Sequence, residues 1–212
     1  MHEYDLIADW YANERRGSGG VRELESIMMS LPQGASVLDV GCGNGVPLTR
    51  KLLDAGFSVV GVDSSPRMLE RFRTNCPGTL SICAPIQSAE LGGRLFDAAV
   101  AWGVLFHLPH DEQRKAIAKI ASVLKPGALF WFTAGDEDGH KKGEPMNGVP
   151  FDYWSFSIEG YRDLLKTYGL TLLDIHRDAG QNIYYLAMNG GGKPKPTARS
   201  LNSDQSTDPF AA

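Results

Sequence analysis

The decisive stretch of the sequence is Val37-Leu38-Asp39-Val40-Gly41-Cys42-Gly43-Asn44-Gly45. Its first half is apolar and β-branched, as in a strand, and its second half places glycine at alternate positions. Glycine has no Cβ, so the backbone of such a turn is able to approach a bound molecule closely. A turn of this kind belongs at the carboxyl end of the first strand of a doubly wound α/β sheet, where such sheets bind ligands.

The spacing and charge of this turn discriminate between nucleotide-like ligands. The glycines follow the pattern GxGxG, whereas the dinucleotide fingerprint GxGxxG requires a glycine where Val46 stands. The Asp39 carboxylate, just before the turn, would repel a pyrophosphate and would suit a ligand with an ammonium group. Both features favour a methionine-bearing cofactor over a dinucleotide.

The middle of the chain, from Ser36 to Ala134, alternates short apolar runs with helical segments. The runs predict five strands, at residues 37–40, 57–62, 80–83, 96–101 and 128–133. The clearest helix is Asp111 to Leu124, whose apolar residues recur at spacings of three and four, and Lys125-Pro126-Gly127 is expected to end it. This alternation predicts parallel strands joined by right-handed crossovers, with helices on both faces of the sheet.

Composition changes divide the chain into three parts. Residues 1–31 predict a cap of two helices, residues 32–189 the main domain, and residues 190–212 a flexible tail rich in Gly, Pro, Ser and Thr. Within the main domain, the polar and glycine-rich stretch from Gly135 to Pro150 is too long for a simple turn and is expected to be a loop.

The C-terminal part of the main domain reads as one helix followed by two strands. The helix spans Ser157 to Tyr168, with Ser157 as its cap. The strands, at residues 171–176 and 182–188, suit a final antiparallel hairpin.

A second acidic residue, Asp63, ends the second predicted strand. It lies 18 positions after Gly45 (63 − 45), close to the spacing of about 20 at which an acidic side chain takes the hydroxyls of a ribose. Ser64 or Ser65 is able to cap the helix that follows, which leaves the Asp63 carboxylate available for a ligand. The turn and Asp63 together favour nucleoside binding over a purely structural turn.

These motifs make the sequence similar to the class I S-adenosylmethionine-dependent methyltransferases. The matching stretches are Val37 to Gly45, Val60 to Asp63, Phe96 to Pro109 and Leu124 to Phe132. The resemblance implies a doubly wound, Rossmann-like α/β fold: a seven-stranded sheet whose last strand is antiparallel, with helices on both faces. It also implies S-adenosylmethionine as the cofactor and methyl transfer as the activity.

The same resemblance assigns roles around the cofactor. Gly41 and Gly43 would line its methionine portion, Asp39 would help to orient it, and Asp63 would hold the ribose. Gln87 stands where members of the family often carry an Asp that faces the adenine amine, and a glutamine carbonyl accepts the same hydrogen bond. The expected cofactor-binding residues are Tyr11, Asp39, Gly41, Cys42, Gly43, Asp63, Ser64, Gln87, Ala101 and Trp102.

The sequence identifies the methyl acceptor less closely than it identifies the cofactor. The stretch from Phe96 to Pro109 resembles the family's fourth motif but lacks the Asn/Asp-Pro-Pro-Tyr/Phe signature of base methylation on nucleic acids. His107 is the candidate catalytic residue, a general base, because imidazole titrates near neutral pH; alternatively it only packs or orients its loop. Trp102 and Phe106 either wall an apolar pocket or belong to the core.

Two further elements are expected beside the acceptor. Tyr11, on the N-terminal cap, either closes the site or packs its helix. The loop from Gly135 is either a substrate element that its glycines allow to move or a solvated surface loop. The expected substrate-binding residues are Phe106, His140, Tyr153 and Trp154.

Composition limits the partners. The formal net charge is -4 and the pI about 5.7, so no overall basic field attracts nucleic acid, and we expect a small-molecule acceptor. Three cysteines without a CxxC pair predict neither a metal site nor a disulfide scaffold and fit a reducing, cytoplasmic location. No apolar run is long enough to predict a membrane partner. The alternatives are an NAD-dependent oxidoreductase and a non-catalytic cofactor-binding module, and the oligomeric state is left open.

Overall fold

The computed structural model describes residues 3–14, 19–178 and 182–191. The helices of these residues are α1 (Glu3–Glu14), α2 (Val21–Met28), α3 (Leu48–Asp54), α4 (Pro66–Asn75), α5 (His110–Ser122) and α6 (Ile158–Thr167). The strands are β1 (Ser36–Val40), β2 (Ser58–Asp63), β3 (Leu80–Cys83), β4 (Phe96–Ala101), β5 (Leu124–Ala134), β6 (Gly139–Met146), β7 (Val149–Ser155), β8 (Leu170–Arg177) and β9 (Ile183–Asn189). Short 3-10 turns lie at Ile86–Ser88 and Leu105–His107.

Seven of these strands form one sheet in the order β3-β2-β1-β4-β5-β9-β8. The first five strands in this order are parallel to one another; Leu38 of β1, for example, lies between Val60 of β2 and Ala99 of β4. Strand β9 runs antiparallel to both β5 and β8. The predicted seven-stranded sheet with its last strand antiparallel is confirmed. Between β1 and β4 the strand order reverses, and this reversal creates a crevice at the carboxyl ends of the strands.

Helices cover both faces of the sheet. Val37 of β1 packs in one apolar cluster with Leu24 of α2 and Leu52 of α3. Its neighbour Leu38 points to the opposite face and packs in a second cluster with Ile117 of α5. Successive residues of a strand alternate between faces, and β1 accordingly buries Val37 on one face and Leu38 and Val40 on the other.

The stretch from Gly135 to Pro150 is mostly a β-hairpin, and the expectation of a loop there is wrong. Strands β6 and β7 pair antiparallel and form a separate two-stranded sheet. Asn147 and Gly148 make the two-residue turn, with φ of 48° and 76°. Positive φ at both positions is what the tightest hairpin turns require, and Asn-Gly is their usual sequence. Seven of the eight residues of β6 are exposed, so the strand lacks the apolar alternation that would have predicted it.

The helix before β5 ends earlier than predicted. Helix α5 stops at Ser122, and Lys125-Pro126-Gly127 lies inside β5, where the pairing with β4 is irregular. A proline is tolerated there because it needs no ladder hydrogen bond at a register break. The predicted helix cap at Ser157 is confirmed: its Oγ accepts a hydrogen bond from the backbone N–H of Gly160 at 3.2 Å.

The two N-terminal helices are present as predicted, and they are attached differently. The apolar face of α2 is part of the main core through Leu24 and Ile27, whereas α1 packs on α4 and β7. The predicted tail, apart from Gly190 and Gly191, lies outside the described residues. In the part of the chain that the structure describes, no helix has the length and apolar character needed to cross a membrane.

Candidate active site

A cavity of about 540 Å³ lies at the carboxyl edge of the sheet. The ends of β1 and β2 contribute Gly41 and Asp63, the 3-10 turn after β3 contributes Gln87, and the segment after β4 contributes Trp102. Helix α1 and strand β7 form the opposite wall. The position is the crevice at the strand-order reversal, and the volume is in the range of small-molecule sites.

The three glycines of the turn have positive φ, yet they serve different purposes. A Cβ on Gly41 would lie 2.7 Å from the side chain of Val104, and one on Gly45 would lie 2.7 Å from Sγ of Cys76. These two glycines are therefore required by packing. A Cβ on Gly43 would meet no atom within 4 Å, and Gly43 lines the cavity. The open space for a ligand is at Gly43.

Asp63 joins the glycine turn to the start of α4. Its Oδ2 accepts a hydrogen bond from the backbone N–H of Gly43, and its Oδ1 accepts one from the backbone N–H of Ser65, both at 2.8 Å. A carboxylate has about four acceptor positions, so it is able to accept ligand hydroxyls as well. Ser65 caps α4 by accepting a hydrogen bond from Met68 N, while Ser64 and Asp63 line the cavity.

Asp39 lies beneath the turn and is not one of the residues lining the cavity. Its side chain is buried, and its Oδ2 accepts a hydrogen bond from Oγ1 of Thr49 at 2.5 Å. Burial raises the pKa of Asp39 to about 6; the bond from Thr49 opposes this rise and the charge of Asp63 adds to it. Asp39 therefore acts on the cavity through its charge, from below the glycine turn.

Gln87 presents an amide in the wall beside Asp63. Its Nε2 donates to Oε2 of Glu112, in the first turn of α5, at 2.9 Å. Its Oε1 is buried and has no hydrogen-bond partner among the described residues. This oxygen is screened from solvent and therefore from a molecule in the cavity, and leaving a buried acceptor without a donor is costly.

The opposite wall is built around His107. Its Nε2 lies 2.9 Å from the hydroxyl of Tyr4 on α1, and its Nδ1 lies 3.4 Å from the carbonyl oxygen of Asp152 on β7. The rings of Tyr4 and Phe151 pack edge to face with centroids 5.0 Å apart. Tyr4, His107 and Phe151 all line the cavity, so this wall is aromatic with one hydroxyl and one imidazole.

Helix α1 connects this wall to the opposite side of the cavity. Oδ1 of Asp5 accepts a hydrogen bond from Oγ of Ser65 at 2.5 Å, and Asp9 pairs with Arg67 and Arg71 of α4. The same helix reaches His107 through Tyr4. Helix α1 therefore bridges the two sides of the cavity.

Most of the predicted site residues come together in this cavity. Those that line it are Tyr11, Gly41, Gly43, Asp63, Ser64, Gln87, Trp102, His107 and Trp154. Trp102 both walls the cavity and packs in the core, the two alternatives considered for it, because its ring also stacks on buried Trp131 with centroids 5.5 Å apart.

The other predicted residues lie behind the wall. They are Asp39, Cys42, Ala101, Phe106, His140 and Tyr153. Cys42 packs with Phe72, and Ala101 is fully buried in β4. The rings of Phe106 and Tyr153 stack on each other, and His140 stacks on Trp154 at 3.5 Å and pairs with Asp152.

Thr49 and Glu112 hydrogen-bond to two of the predicted site residues, Asp39 and Gln87, and the sequence analysis did not name them. Each is brought to its partner by the fold, ten and 25 residues away along the chain, and neither lies in a motif. Among the described residues, no group of three or more His, Cys, Asp or Glu side chains is arranged to hold a metal ion.

Residues 37–127 match the sequence model of a methyltransferase domain. An uncharacterized methyltransferase of Mycobacterium tuberculosis is 34% identical over 122 residues, which are 54% of this chain and 47% of that protein. A tRNA (carboxymethyluridine(34)-5-O)-methyltransferase of Arabidopsis thaliana is 30% identical over 131 residues, 61% of this chain and 31% of that protein. The chain thus spans half or less of the length of these relatives.

Similarity of fold extends further along the chain. The crystal structure of Burkholderia thailandensis 1,6-didemethyltoxoflavin-N1-methyltransferase, with bound 1,6-didemethyltoxoflavin and S-adenosylhomocysteine, superposes with a TM-score of 0.67. The match covers 87% of each chain at 23% identity. The chain therefore shares the fold of this methyltransferase, and its residues 37–127 are similar to methyltransferase domains.

Proposed function

We propose that this chain is an enzyme that transfers the methyl group of S-adenosylmethionine to a nitrogen, oxygen or sulfur atom of a small molecule. The observation that carries the proposal is the cavity itself. It brings the open space at Gly43, the carboxylate of Asp63 and the side chain of Gln87 together in one cavity. These groups suit the methionine portion, the ribose and the adenine amine of this cofactor, in that order.

The cofactor supplies an activated methyl group on a sulfonium when it is bound. The protein then needs mainly to hold the acceptor atom in line and to exclude water. Tyr4, Tyr11, Phe151 and Trp154 provide apolar surface for an acceptor with a flat ring. Tyr11, Ser64 and Trp102 line the same cavity and are proposed as further cofactor contacts, with the Ala101 carbonyl behind them.

His107 is the proposed base. The carbonyl oxygen of Asp152 only accepts, so the contact with Nδ1 favours the tautomer whose Nδ1 carries the proton. Nε2 is then an acceptor, and the Tyr4 hydroxyl donates to it at 2.9 Å. A proton released by the acceptor reaches Nε2 through this hydroxyl, which gives one proton to His107 as it takes another.

A small acceptor is supported by the shape and charge of the protein. The cavity of about 540 Å³ has to hold the cofactor as well as the acceptor, and α1 and β7 wall its outer side. The net charge of -4 gives no basic field for nucleic acid. We also propose a cytoplasmic location, because Cys42, Cys76 and Cys83 are all free thiols.

The test is a titration followed by a turnover assay. Calorimetry should show binding of S-adenosylmethionine and S-adenosylhomocysteine, and not of NAD. Release of S-adenosylhomocysteine is then measured across a panel of small amines, phenols and thiols, with total tRNA as a separate arm, because one relative is named as a tRNA methyltransferase. Turnover on tRNA alone would refute the small-molecule acceptor. Cofactor binding without turnover in any arm would favour a non-catalytic module.

A further inference from the structure

Gln113 is a buried amide that lies behind the wall proposed for the acceptor. It belongs to α5, is 0% exposed and is not one of the residues that line the cavity. Its Nε2 donates to two backbone carbonyl oxygens, that of Leu108 at 2.9 Å and that of Trp154 at 3.0 Å. Its Oε1 accepts a hydrogen bond from the hydroxyl of Tyr161 in α6 at 2.7 Å. Both ends of the amide are therefore engaged, as the burial of a polar group requires.

The partners of Gln113 determine which end of its amide faces the wall. The two carbonyl oxygens only accept, so the NH2 end has to face them. Burial raises the pKa of Tyr161 to about 12, so its hydroxyl keeps its proton at neutral pH and is able to donate to the amide oxygen. A reversed amide would set its oxygen against both carbonyls and leave each of them without a donor. The amide therefore has one satisfied orientation.

The two carbonyls belong to separate segments of the wall. Leu108 directly follows His107 in the segment after β4, whereas Trp154 lies in β7, and all three line the cavity. Strand β7 is paired with β6 and not with a strand of the seven-stranded sheet. Its position relative to His107 is therefore set by contacts other than strand pairing. Gln113 makes such a contact to both segments at once.

We infer that Gln113 is a positioning residue: by holding the carbonyls of Leu108 and Trp154, it fixes the two segments of the acceptor wall relative to each other. The inference rests on the proposed function, because it takes this wall to be the place where the acceptor binds. Since Gln113 lies outside the lining of the cavity, it acts only through the residues that it holds. A fully satisfied buried amide is suited to this role, because it allows one arrangement of its neighbours.

The first test observes Trp154 directly and needs no acceptor. The protein labelled with fluorotryptophan should give one fluorine NMR signal for each of its four tryptophans, and Trp154→Phe identifies the signal of residue 154. Gln113→Met has a side chain of similar size without a donor, so the Trp154 signal should shift or broaden in this variant. The signal of Trp131 should stay in place, because Trp131 packs on the face of the sheet opposite to α5.

Asn189 provides a matched control. Its Nδ2 also donates to two backbone carbonyls, those of Leu124 at 2.8 Å and Lys125 at 3.2 Å. These carbonyls lie at the start of β5, at the end of the sheet opposite to the cavity. Asn189→Leu and Gln113→Met remove the same kind of buried amide, so both should lower Tm. Only Gln113→Met should alter the Trp154 signal.

The second test separates acceptor binding from cofactor binding. With the best acceptor of the amine, phenol and thiol panel, Gln113→Met should raise KM about 10-fold and change kcat by about 3-fold or less, because the wall contacts the acceptor before and during the reaction. Its Kd for S-adenosylhomocysteine should stay within about 2-fold of the parent value. Asn189→Leu should keep the parental KM and kcat. Gln113→Asn keeps the amide on a shorter side chain, which loses at least one of the carbonyls, and should raise KM by less than Gln113→Met does.

The outcomes separate this inference from the proposed function. If the parent does not bind S-adenosylhomocysteine or methylates no acceptor, the proposed function is wrong, and the fluorine signals still decide whether Gln113 holds the wall in place. An unchanged Trp154 signal or an unchanged KM in folded Gln113→Met overturns the positioning role, as does an equal change in Asn189→Leu. If Gln113→Met does not fold, Gln113→Asn is judged by the same criteria.

Discussion

Replacing Asp39 with Asn should stabilise this protein at neutral pH. Asp39 is 3% exposed, and its carboxylate accepts a hydrogen bond from a neutral hydroxyl, Oγ1 of Thr49. Asparagine has nearly the same shape, keeps an oxygen to accept that hydrogen bond and carries no charge. The substitution therefore removes the cost of a buried charge and leaves the packing in place.

The size of the effect follows from the pKa. Burial raises the pKa of Asp39 from an ordinary 3.8 to about 6. Such a difference corresponds to about 3 kcal/mol, since each pKa unit is worth about 1.4 kcal/mol. When folding raises the pKa of a group, the stability that the group contributes is fully present below its unfolded pKa. This stability is lost as the pH rises through the folded pKa. The loss for Asp39 thus occurs between about pH 4 and pH 6.

The measurement is urea unfolding of the parent and Asp39→Asn from about pH 3.5 to pH 8. We expect the free energy of unfolding of the variant to exceed that of the parent by about 1–3 kcal/mol above pH 6, and by nothing below pH 4. The variant should also bind S-adenosylmethionine more weakly, because the charge below the turn attracts an ammonium group. A variant no more stable than the parent at pH 7.5, or a difference that persists below pH 4, would refute this reasoning.

Asp97 is the matched control, on the neighbouring strand β4. Burial alone would raise its pKa, but hydrogen bonds from Lys125 and from Ser36 outweigh burial and lower it. Its contribution to stability is therefore present above the ordinary pKa and is lost as the pH falls. Asp97→Asn should be less stable than the parent at pH 7.5, and this difference should shrink towards pH 3. The opposite signs of the two variants separate a buried charge from a general effect of removing an Asp.

Three further outcomes concern the site. Gly43→Asp should abolish calorimetric binding of S-adenosylhomocysteine, because its side chain enters open space in the cavity, and should also lower Tm, because the φ of 53° at this position strains a side chain; unaltered affinity would show that the ligand lies elsewhere. Asp63→Ala should weaken that binding by about 2–3 kcal/mol, and Asp63→Asn by less, since an amide oxygen still accepts one hydrogen bond. Phe151→Ala should raise KM for the acceptor and leave cofactor affinity within about 2-fold, whereas Val149→Ala on the same strand, outside the cavity, should change neither.

The parts of the fold that sequence predicted well are those in which neighbouring residues determine the structure. The strand and turn at residues 37–45 are an example, because β-branched residues and positive-φ glycines leave the backbone few alternatives. The position of Asp63 was also predictable from the sequence, because a residue at the carboxyl end of a strand in a parallel sheet lies at the edge where such sheets bind ligands. Local chemistry and sheet geometry were sufficient there.

Pairings between distant segments were not predictable in the same way. Nothing near Gln87 indicates that Glu112 holds its amide, because the contact exists only once α5 has packed beside the turn after β3. The burial of Asp39 was also not predictable from the sequence motif. The motif places Asp39 just before the glycine turn along the chain, but it does not show that the Asp39 side chain lies beneath that turn. The hairpin was different: Asn147-Gly148 was a readable signal, and the polarity of β6 concealed it.

The cavity is lined partly by residues within the methyltransferase-domain match and partly by residues outside it, and this division indicates where acceptor specificity could be changed. The cofactor side comes from Gly43, Asp63 and Gln87, all within the residues 37–127 that match the methyltransferase domain. The wall proposed for the acceptor comes in large part from α1 and β7, which lie before and after that region, whereas His107 lies within it. The two sides are nevertheless coupled, because α1 binds Ser65 at one end of the cavity and His107 at the other. A substitution that changes the acceptor without disturbing the cofactor is therefore best sought on β7, whose residues line the cavity and lie outside residues 37–127.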